Sequence, residues 1–592
     1  MAYDYAVRPL VPEAVYTDRQ EFIDYFYDYA LAAIERRAMS TVLLGTRRMG
    51  KTEIFKRVVN RLFFEQDHTD PNAVVPVYYS FREVAFDRWE FAIEYVENFL
   101  RWYAAFRLRN PALLTRSGLR RKEIAAFFQA NVPMTARVEG ACRVFESLQE
   151  RDVTIPEDTA LTLPREISDW DDCTIVMFLD EFQNTRLPQD GFNIVGFLQE
   201  AVESPTCPHF VTGSAMSILA REIIGRGALF GRFESHPIEA MSEYWGAELA
   251  LRAARYYRVP VPDLLAPVLA NRCGGNPFYI TAVIKQAARQ HTVIENEETI
   301  NTLLAVDLSS GFIWGELHDQ VTRWIARINE HNITKWVLYL SAIGDGDKIS
   351  LEQLQQELKT REGQDVSLDT IRDILVKLSR GDLVDYLELG GWFRKVDDPI
   401  LLEFLKVWGK IEVEGQSSHI VQSELVGRYE TLERRFHEYK GYLGEVFMSQ
   451  ILLGSSRKTF PACLFHVSEE IAMPRQFFYV HHRVRLGSGT GQEIDLFGAA
   501  GSEVWIGQSK WWVNDKVGLK ELRTFLAQGE QVQAERSPRT LRLWLFAYSG
   551  LTPKARQFAH DHNILWSSKA EMNELLRLLG LRDLPDASLD ES

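Results

Sequence analysis

A chain of 592 residues is longer than one hydrophobic core can organise and points to roughly three or four domains. Its 46% hydrophobic and 25% charged content is that of an ordinary globular protein, and no apolar run reaches the ~18 residues of a membrane span. A net charge of −15 excludes general coating of nucleic acid by the whole surface, while leaving room for a local basic groove.

The five cysteines (142, 173, 207, 273 and 463) fall without metal or disulfide spacing, and the first residues carry no signal-peptide pattern. Both features lead to the expectation of a reducing cytoplasm and no membrane partner. After an extended start, the pattern EFIDYFYDYALAAIERR predicts a helix leading into an apolar strand, Thr41 to Leu44. A helical pattern begins at Lys51. Between strand and helix sits Gly45-xxxx-Gly50-Lys51-Thr52, which fits a phosphate-binding loop in full. Such a loop turns backbone N–H groups toward a triphosphate and adds the positive end of the helix dipole. Lys51 would reach the β- and γ-phosphates of ATP, and the Thr52 hydroxyl would ligate Mg²⁺.

Residues 73–81 read as a buried strand. Residues 85 to about 165 read as a mostly helical insertion with aromatic anchors and no legible role. The run Cys173 to Asp180 is apolar enough for a strand covered on both faces of a parallel sheet. Two carboxylates at its C-terminal end lie where open α/β sheets bind ligands. Asp180 would hold Mg²⁺ through water, and Glu181 would orient or deprotonate the attacking water. A further strand, residues 209–212, runs into Gly213 and Ser214, whose hydroxyl either senses the γ-phosphate or caps the next helix. In the segment 226–233, Arg226 or Arg232 could neutralise transition-state charge, in cis or across a subunit boundary in a homo-oligomer; each is equally readable as a solvated arginine. Residues 243–305 are helical, broken at Gly274-Gly275-Asn276-Pro277.

The ordered set GTRRMGKT, IVMFLDEFQN, FVTGS, ALFGRF and GGNPFYI resembles the archaeal-type P-loop ATPases of the STAND/AAA+ group, and Thr17-Asp18-Arg19 looks like that family's N-terminal motif. The likeness spans about residues 15–300. It implies an ATPase core (1–240) with a helical lid (241–332), in which Pro277 faces the nucleotide and couples its state to neighbouring domains.

Residues 333–404 predict a winged helix: helices near 335, 350–358 and 367–380, then a hairpin from 383 to 393. In such folds the third helix often enters the DNA major groove. Here Asp369 and Asp373 sit on that helix, and phosphate contact needs Lys or Arg there. A relay module, or a contact for a protein trigger, fits better. A polar helical connector follows over 405–437.

In the last segment, 438–592, a helix carries Glu445, and a hairpin pairs Glu493-Ile-Asp495 with Val504-Trp-Ile-Gly-Gln508-Ser-Lys510. With period 2, Gln508 and Lys510 share a strand face and can point toward Asp495. An acid binding Mg²⁺ beside a lysine that aligns the attacking hydroxide suits phosphodiester hydrolysis. The pattern resembles the PD-(D/E)xK, restriction-endonuclease-like domains attached to archaeal ATPases. The resemblance implies Asp495 as metal ligand, Gln508 at the second-acid position, Lys510 as catalytic lysine and Glu445 as the helical acid. Gln508 stands where a carboxylate is usual; Mrr-like members of that superfamily use Gln there. The fold expected overall is multidomain α/β: a parallel-sheet P-loop ATPase with helical lid, a winged helix, and a C-terminal α/β restriction-endonuclease-like domain. The function expected is ATP-dependent control of a metal-dependent nuclease acting on DNA, in defence or mobile-element control. A nucleotide switch with an inactive nuclease-like tail is the alternative.

Overall fold

The computed structural model describes all residues except 1–4, 83–86, 116, 187–193, 214–226, 228, 329–330, 364, 388–390, 431–435, 486–492, 514 and 586–592. Its N-terminal part is built on five strands, β1 (Thr41–Leu44), β2 (Val75–Ser80), β3 (Ile175–Asp180), β4 (His209–Thr212) and β5 (Glu234–Pro237). They lie in the order β2-β3-β4-β1-β5, and every pairing is parallel. Parallel sheets need helices on both faces, which is why β1, β3 and β4 are mostly apolar and are buried along their whole length. Phe26 of helix Gln20–Ala32 packs 5.5 Å from both Phe55 and Phe210, closing one such face.

β4 lies between β1 and β3. The C-terminal ends of β1 and β3, where chain turns outward, therefore flank a crevice rather than touching. Between β2 and β3 the chain makes helices Arg88–Arg107, Ile124–Asn131, Ala136–Glu150 and Pro156–Trp170. Beyond β5 come helices Glu243–Tyr257, Leu265–Arg272, Pro277–Gln290, Glu297–Ser310 and Phe312–Arg327. Ser242, Asn276 and Asn296 cap three of them through their side chains.

Helices His331–Ile343, Leu351–Glu362 and Leu368–Ser379 follow, with a small antiparallel sheet of β6 (Lys348–Ile349), β7 (Asp385–Leu387) and β8 (Trp392–Arg394) in the order β6-β8-β7. The third helix begins one residue later than its pattern suggests, because Ser367 serves as its cap. Helices Pro399–Glu412 and Ser418–Glu430 lead to the last part of the chain.

That part opens with helix Phe436–Gly454 and the short pair β9 (Thr459–Phe460) and β10 (Ile471–Ala472). Its main sheet holds β11 (Tyr479–Arg485), β12 (Glu493–Ala500), β13 (Glu503–Lys510), β14 (Thr540–Ala547) and β15 (Leu565–Ser567), in chain order. The first three are antiparallel and the last three parallel. Alternation along β13 sends Trp505 into a core with Phe447 and Trp544, and Ile506 into the opposite core with Phe525 and Leu545. The tail docks on the helix Glu243–Tyr257: the Arg582 N–H donates to the Tyr244 hydroxyl at 2.7 Å, and the Tyr244 and Phe447 rings meet edge-on. No described helix is long and apolar enough to cross a membrane. Cys142, Cys173, Cys207 and Cys273 are buried free thiols; Cys463 is exposed.

Candidate functional site

The glycine-rich loop leaves β1 at Leu44 and turns into helix Lys51–Glu65 at Gly50, whose φ of 92° is left-handed and suits glycine. No side chain caps this helix, so its first N–H groups stay available to an anion. Lys51 is buried and folded back on the loop, donating to the carbonyls of Gly45 (2.7 Å) and Thr46 (2.6 Å). Burial pushes its ammonium down to about 8, opposed by the charges of Asp382, Asp180 and Glu181.

Asp180 ends β3 at 2% exposure. The Tyr78 hydroxyl from β2 donates to its Oδ2 at 2.8 Å, and the Thr52 hydroxyl also bonds it. Burial raises its pKa against these donors. Glu181, with φ 55°, receives the Gln183 amide; burial raises its pKa, and the neighbouring Asp180 charge raises it further. Lys51, Thr52, Asp180 and Glu181 line a cavity of about 600 Å³ together with Tyr16, Arg19, Gly213, Pro277, Phe278 and Arg323. Gly50, Lys51 and Thr52 thus share one cavity with Asp180, Glu181 and Pro277, as a nucleotide with a divalent ion would require. The open helix N–H groups, the buried ammonium and the paired carboxylates fit the phosphates and the ion.

Arg232 does not line this cavity; it pairs with Glu203 at 2.7 Å. The Thr212 hydroxyl donates to Leu43 O, also away from the cavity, while Ser214 and Arg226 lie outside the described residues. Other participants lie in the quoted motifs, but their distant partners carry no sequence signature. Arg48 reaches Glu316 and Gln320 of helix Phe312–Arg327 at 3.1 Å each, and Gln320 in turn donates to Gly381 O. Asn276 caps its helix and donates to Arg47 O, and Tyr279 donates to Asp398 at 2.8 Å. Tyr78 could have been suspected from strand parity with Ser80, which pairs with Asp180. The charge of Asp382 is brought within electrostatic reach of Lys51 by chain folding alone.

A second cluster lies in the tail. Asp495 on β12 accepts the Ser509 N–H at 2.9 Å; the ladder between β12 and β13 runs only as far as Leu496 opposite Gly507, so the strands part at Asp495 and Gln508. Helix Phe436–Gly454 crosses here close to β13: a Cβ on Gly444 would stand 2.0 Å from Ser509 Oγ. That approach places Glu445 beside the sheet, 5% exposed. Its carboxyl is pushed up to about 8 by burial and by the Asp495 charge, against Arg483. Burial also raises Asp495, against the Ser509 N–H, Lys510 and Arg483. Glu445 Oε2 and Gln508 Oε1 are buried without a hydrogen-bond partner, oxygens suited to a cation. Two carboxylates and an amide oxygen fit a divalent ion loosely; among the described residues no three His, Cys, Asp or Glu side chains come together as a metal set.

The chain is a multidomain α/β protein with a P-loop core on a five-stranded parallel sheet. Its sequence matches no protein-family model, and no curated protein matches it. Among solved structures it is similar to a Walker-type ATPase of Pyrococcus abyssi (16% identity, TM-score 0.44, covering 68% of this chain and 99% of that one). It is also similar to the ORC1 protein of Aeropyrum pernix in complex with DNA (13%, 0.37, 69% and 97%). A third is the RuvB Holliday junction branch migration motor of Thermotoga maritima (14%, 0.30, 66% and 94%).

Proposed function

We propose that this chain binds and hydrolyses ATP in the manner of the STAND/AAA+ group, and that its nucleotide state controls a metal-dependent nuclease in the tail acting on DNA. The observation that carries the reading is the meeting of Lys51, Thr52, Asp180 and Glu181 in one cavity at an uncapped helix N-terminus. On this reading Lys51 leaves the Gly45 and Thr46 carbonyls for the β- and γ-phosphate oxygens, and Thr52 and Asp180 hold Mg²⁺, which supplies charge to the phosphates. Glu181 takes the proton of a water whose oxygen attacks the γ-phosphorus as the bond to the bridging oxygen breaks. Arg232 pairs with Glu203 and would have to leave that partner to reach a phosphate, in cis or across a subunit boundary.

The domains follow the same reading: core 1–240, lid 241–332, winged helix 333–404, connector 405–437 and nuclease-like tail 438–592. Support for 333–404 as a relay comes from Gly381, Asp382 and Asp398, each tied to the loop or to the lid. Tyr244 ties the lid to the tail. In the tail, Glu445 and Asp495 would hold a divalent ion that activates water, Gln508 would add an oxygen, and Lys510 would align the attacking hydroxide. A nucleotide switch with a binding but non-cleaving tail is the second reading, favoured by the neutral Gln508 and the loose metal set. Phosphate release from ATP, measured for wild type and Lys51→Ala, tests the core: loss of nucleotide binding and turnover in the variant is expected, and an unaffected variant would sink the proposal.

A further inference from the structure

Arg483 is unusual among the residues of β11. His482 stands opposite Leu496 and Val484 opposite Ile494, so Arg483 lies in register across from Asp495, on the same face of the sheet. Yet its φ is 52°, a left-handed conformation that a long side chain inside a strand adopts only when its surroundings impose it. The guanidinium sits with Nε 3.6 Å from Glu445 Oε2 and its carbon 4.9 Å from the Tyr442 ring centre. The Arg483 side chain is 49% exposed and that of Glu445 7%, so the arginine lies on the solvent side of the acid.

This placement does little for packing. An exposed arginine needs no left-handed backbone, and a strand gains nothing from losing a rung there. What the backbone achieves is to aim a cation at the mouth of the cluster holding Glu445, Asp495 and the unpartnered Gln508 oxygen, which is itself nine-tenths buried. A phosphodiester approaching two carboxylates is repelled unless positive charge lies on its path. Lys510 supplies one such charge from β13. Arg483 supplies another from the opposite neighbour of β12. Its contact with Glu445 runs through Nε at more than hydrogen-bond length, leaving both terminal nitrogens for a second acceptor, and the Tyr442 ring steadies its plane.

We propose that Arg483 is a substrate-binding residue of the tail site, donating to a non-bridging phosphate oxygen of a DNA strand that enters between its guanidinium and the Glu445–Asp495 pair. The inference rests on the nuclease reading above for its choice of substrate. Glu445 and Asp495 are the carboxylates that would hold a divalent ion, and the positive charge it supplied there would offset their attraction for Arg483.

Glycine tolerates φ 52°, so Arg483→Gly removes the side chain without harming the fold. The test compares full-length wild type, Arg483→Gly and Arg483→Lys by thermal midpoint and by fluorescence anisotropy with a short DNA duplex in Ca²⁺. Arg483→Gly should melt no lower than wild type, bind at least 10-fold more weakly and lower the log–log salt slope by about one. Arg483→Lys should recover part of the affinity. Affinity of Arg483→Gly within twofold of wild type, or a wild type that does not bind the duplex, overturns the assignment. Binding that depends on Arg483, without Asp495-dependent cleavage in Mg²⁺, upholds the assignment and removes the nuclease reading.

Discussion

The Tyr78 hydroxyl donates to Asp180 Oδ2 at 2.8 Å, linking one strand to the end of its neighbour. A carboxylate this buried needs every donor it has, and Tyr78 and Thr52 supply side-chain donors from two different elements. Tyr78→Phe takes one away and leaves Asp180 under-satisfied. It should cost about 1–2 kcal/mol in denaturant unfolding and weaken Mg²⁺-dependent ATP turnover several-fold. An unchanged unfolding midpoint would show the bond to be idle.

Glu181 sits in a left-handed conformation with the Gln183 amide on its carboxylate. If it is the base for the attacking water, Glu181→Gln should lower turnover at least ~100-fold while ATP affinity stays within about threefold. Equal loss of binding and turnover, read by calorimetry and phosphate release, would make it a structural residue instead.

The buried Lys51 ammonium has a pKa of about 8, and phosphates bind its protonated form. The free protein therefore holds it charged below pH 8. As pH rises through 8, nucleotide affinity should fall toward tenfold per unit, and binding there should take up a proton. Calorimetry in buffers of different ionisation enthalpy reads this directly. Asp382→Asn removes a charge that favours protonation, so the fall in affinity should begin at lower pH.

Asp307 lies buried with one oxygen accepting the Ile313 N–H at 3.1 Å and the other unpartnered. Burial raises its carboxyl from 3.8 to about 6. A raised acid stabilises the fold fully below pH 3.8 and loses that contribution as pH climbs through 6, a swing of about 3 kcal/mol. Asp307→Asn keeps the acceptor and cannot ionise. It should gain about 2–3 kcal/mol over wild type at pH 8 and little at pH 4, by unfolding at both pH values.

The phosphate loop was legible because its chemistry demands particular residues at fixed spacing, and the buried strand before Asp180 because parallel sheets leave a continuous apolar run. The hairpin from Glu493 to Lys510 was legible through its period of two. What escaped depends on long-range folding. Arg48 meets Glu316 across 268 residues, and nothing in either residue's neighbourhood announces the other. The left-handed turn at Arg483 carries no glycine to mark it. Arg232, readable either as a phosphate ligand or as a solvated arginine, has Glu203 beside it, a partner that its own stretch of sequence does not announce. Helix Phe436–Gly454 begins before Lys440, where its pattern was first apparent.

The central claim, that a nucleotide site governs a nuclease site, is tested most directly by cleavage of linear, circular and single-stranded DNA in Mg²⁺ or Mn²⁺, with and without ATP. Wild type, Lys51→Ala and Asp495→Ala are compared side by side. The account predicts metal-dependent cleavage that Asp495→Ala abolishes and whose response to ATP disappears in Lys51→Ala. Intact ATP turnover with no cleavage of any substrate, or cleavage that survives Asp495→Ala, would contradict it.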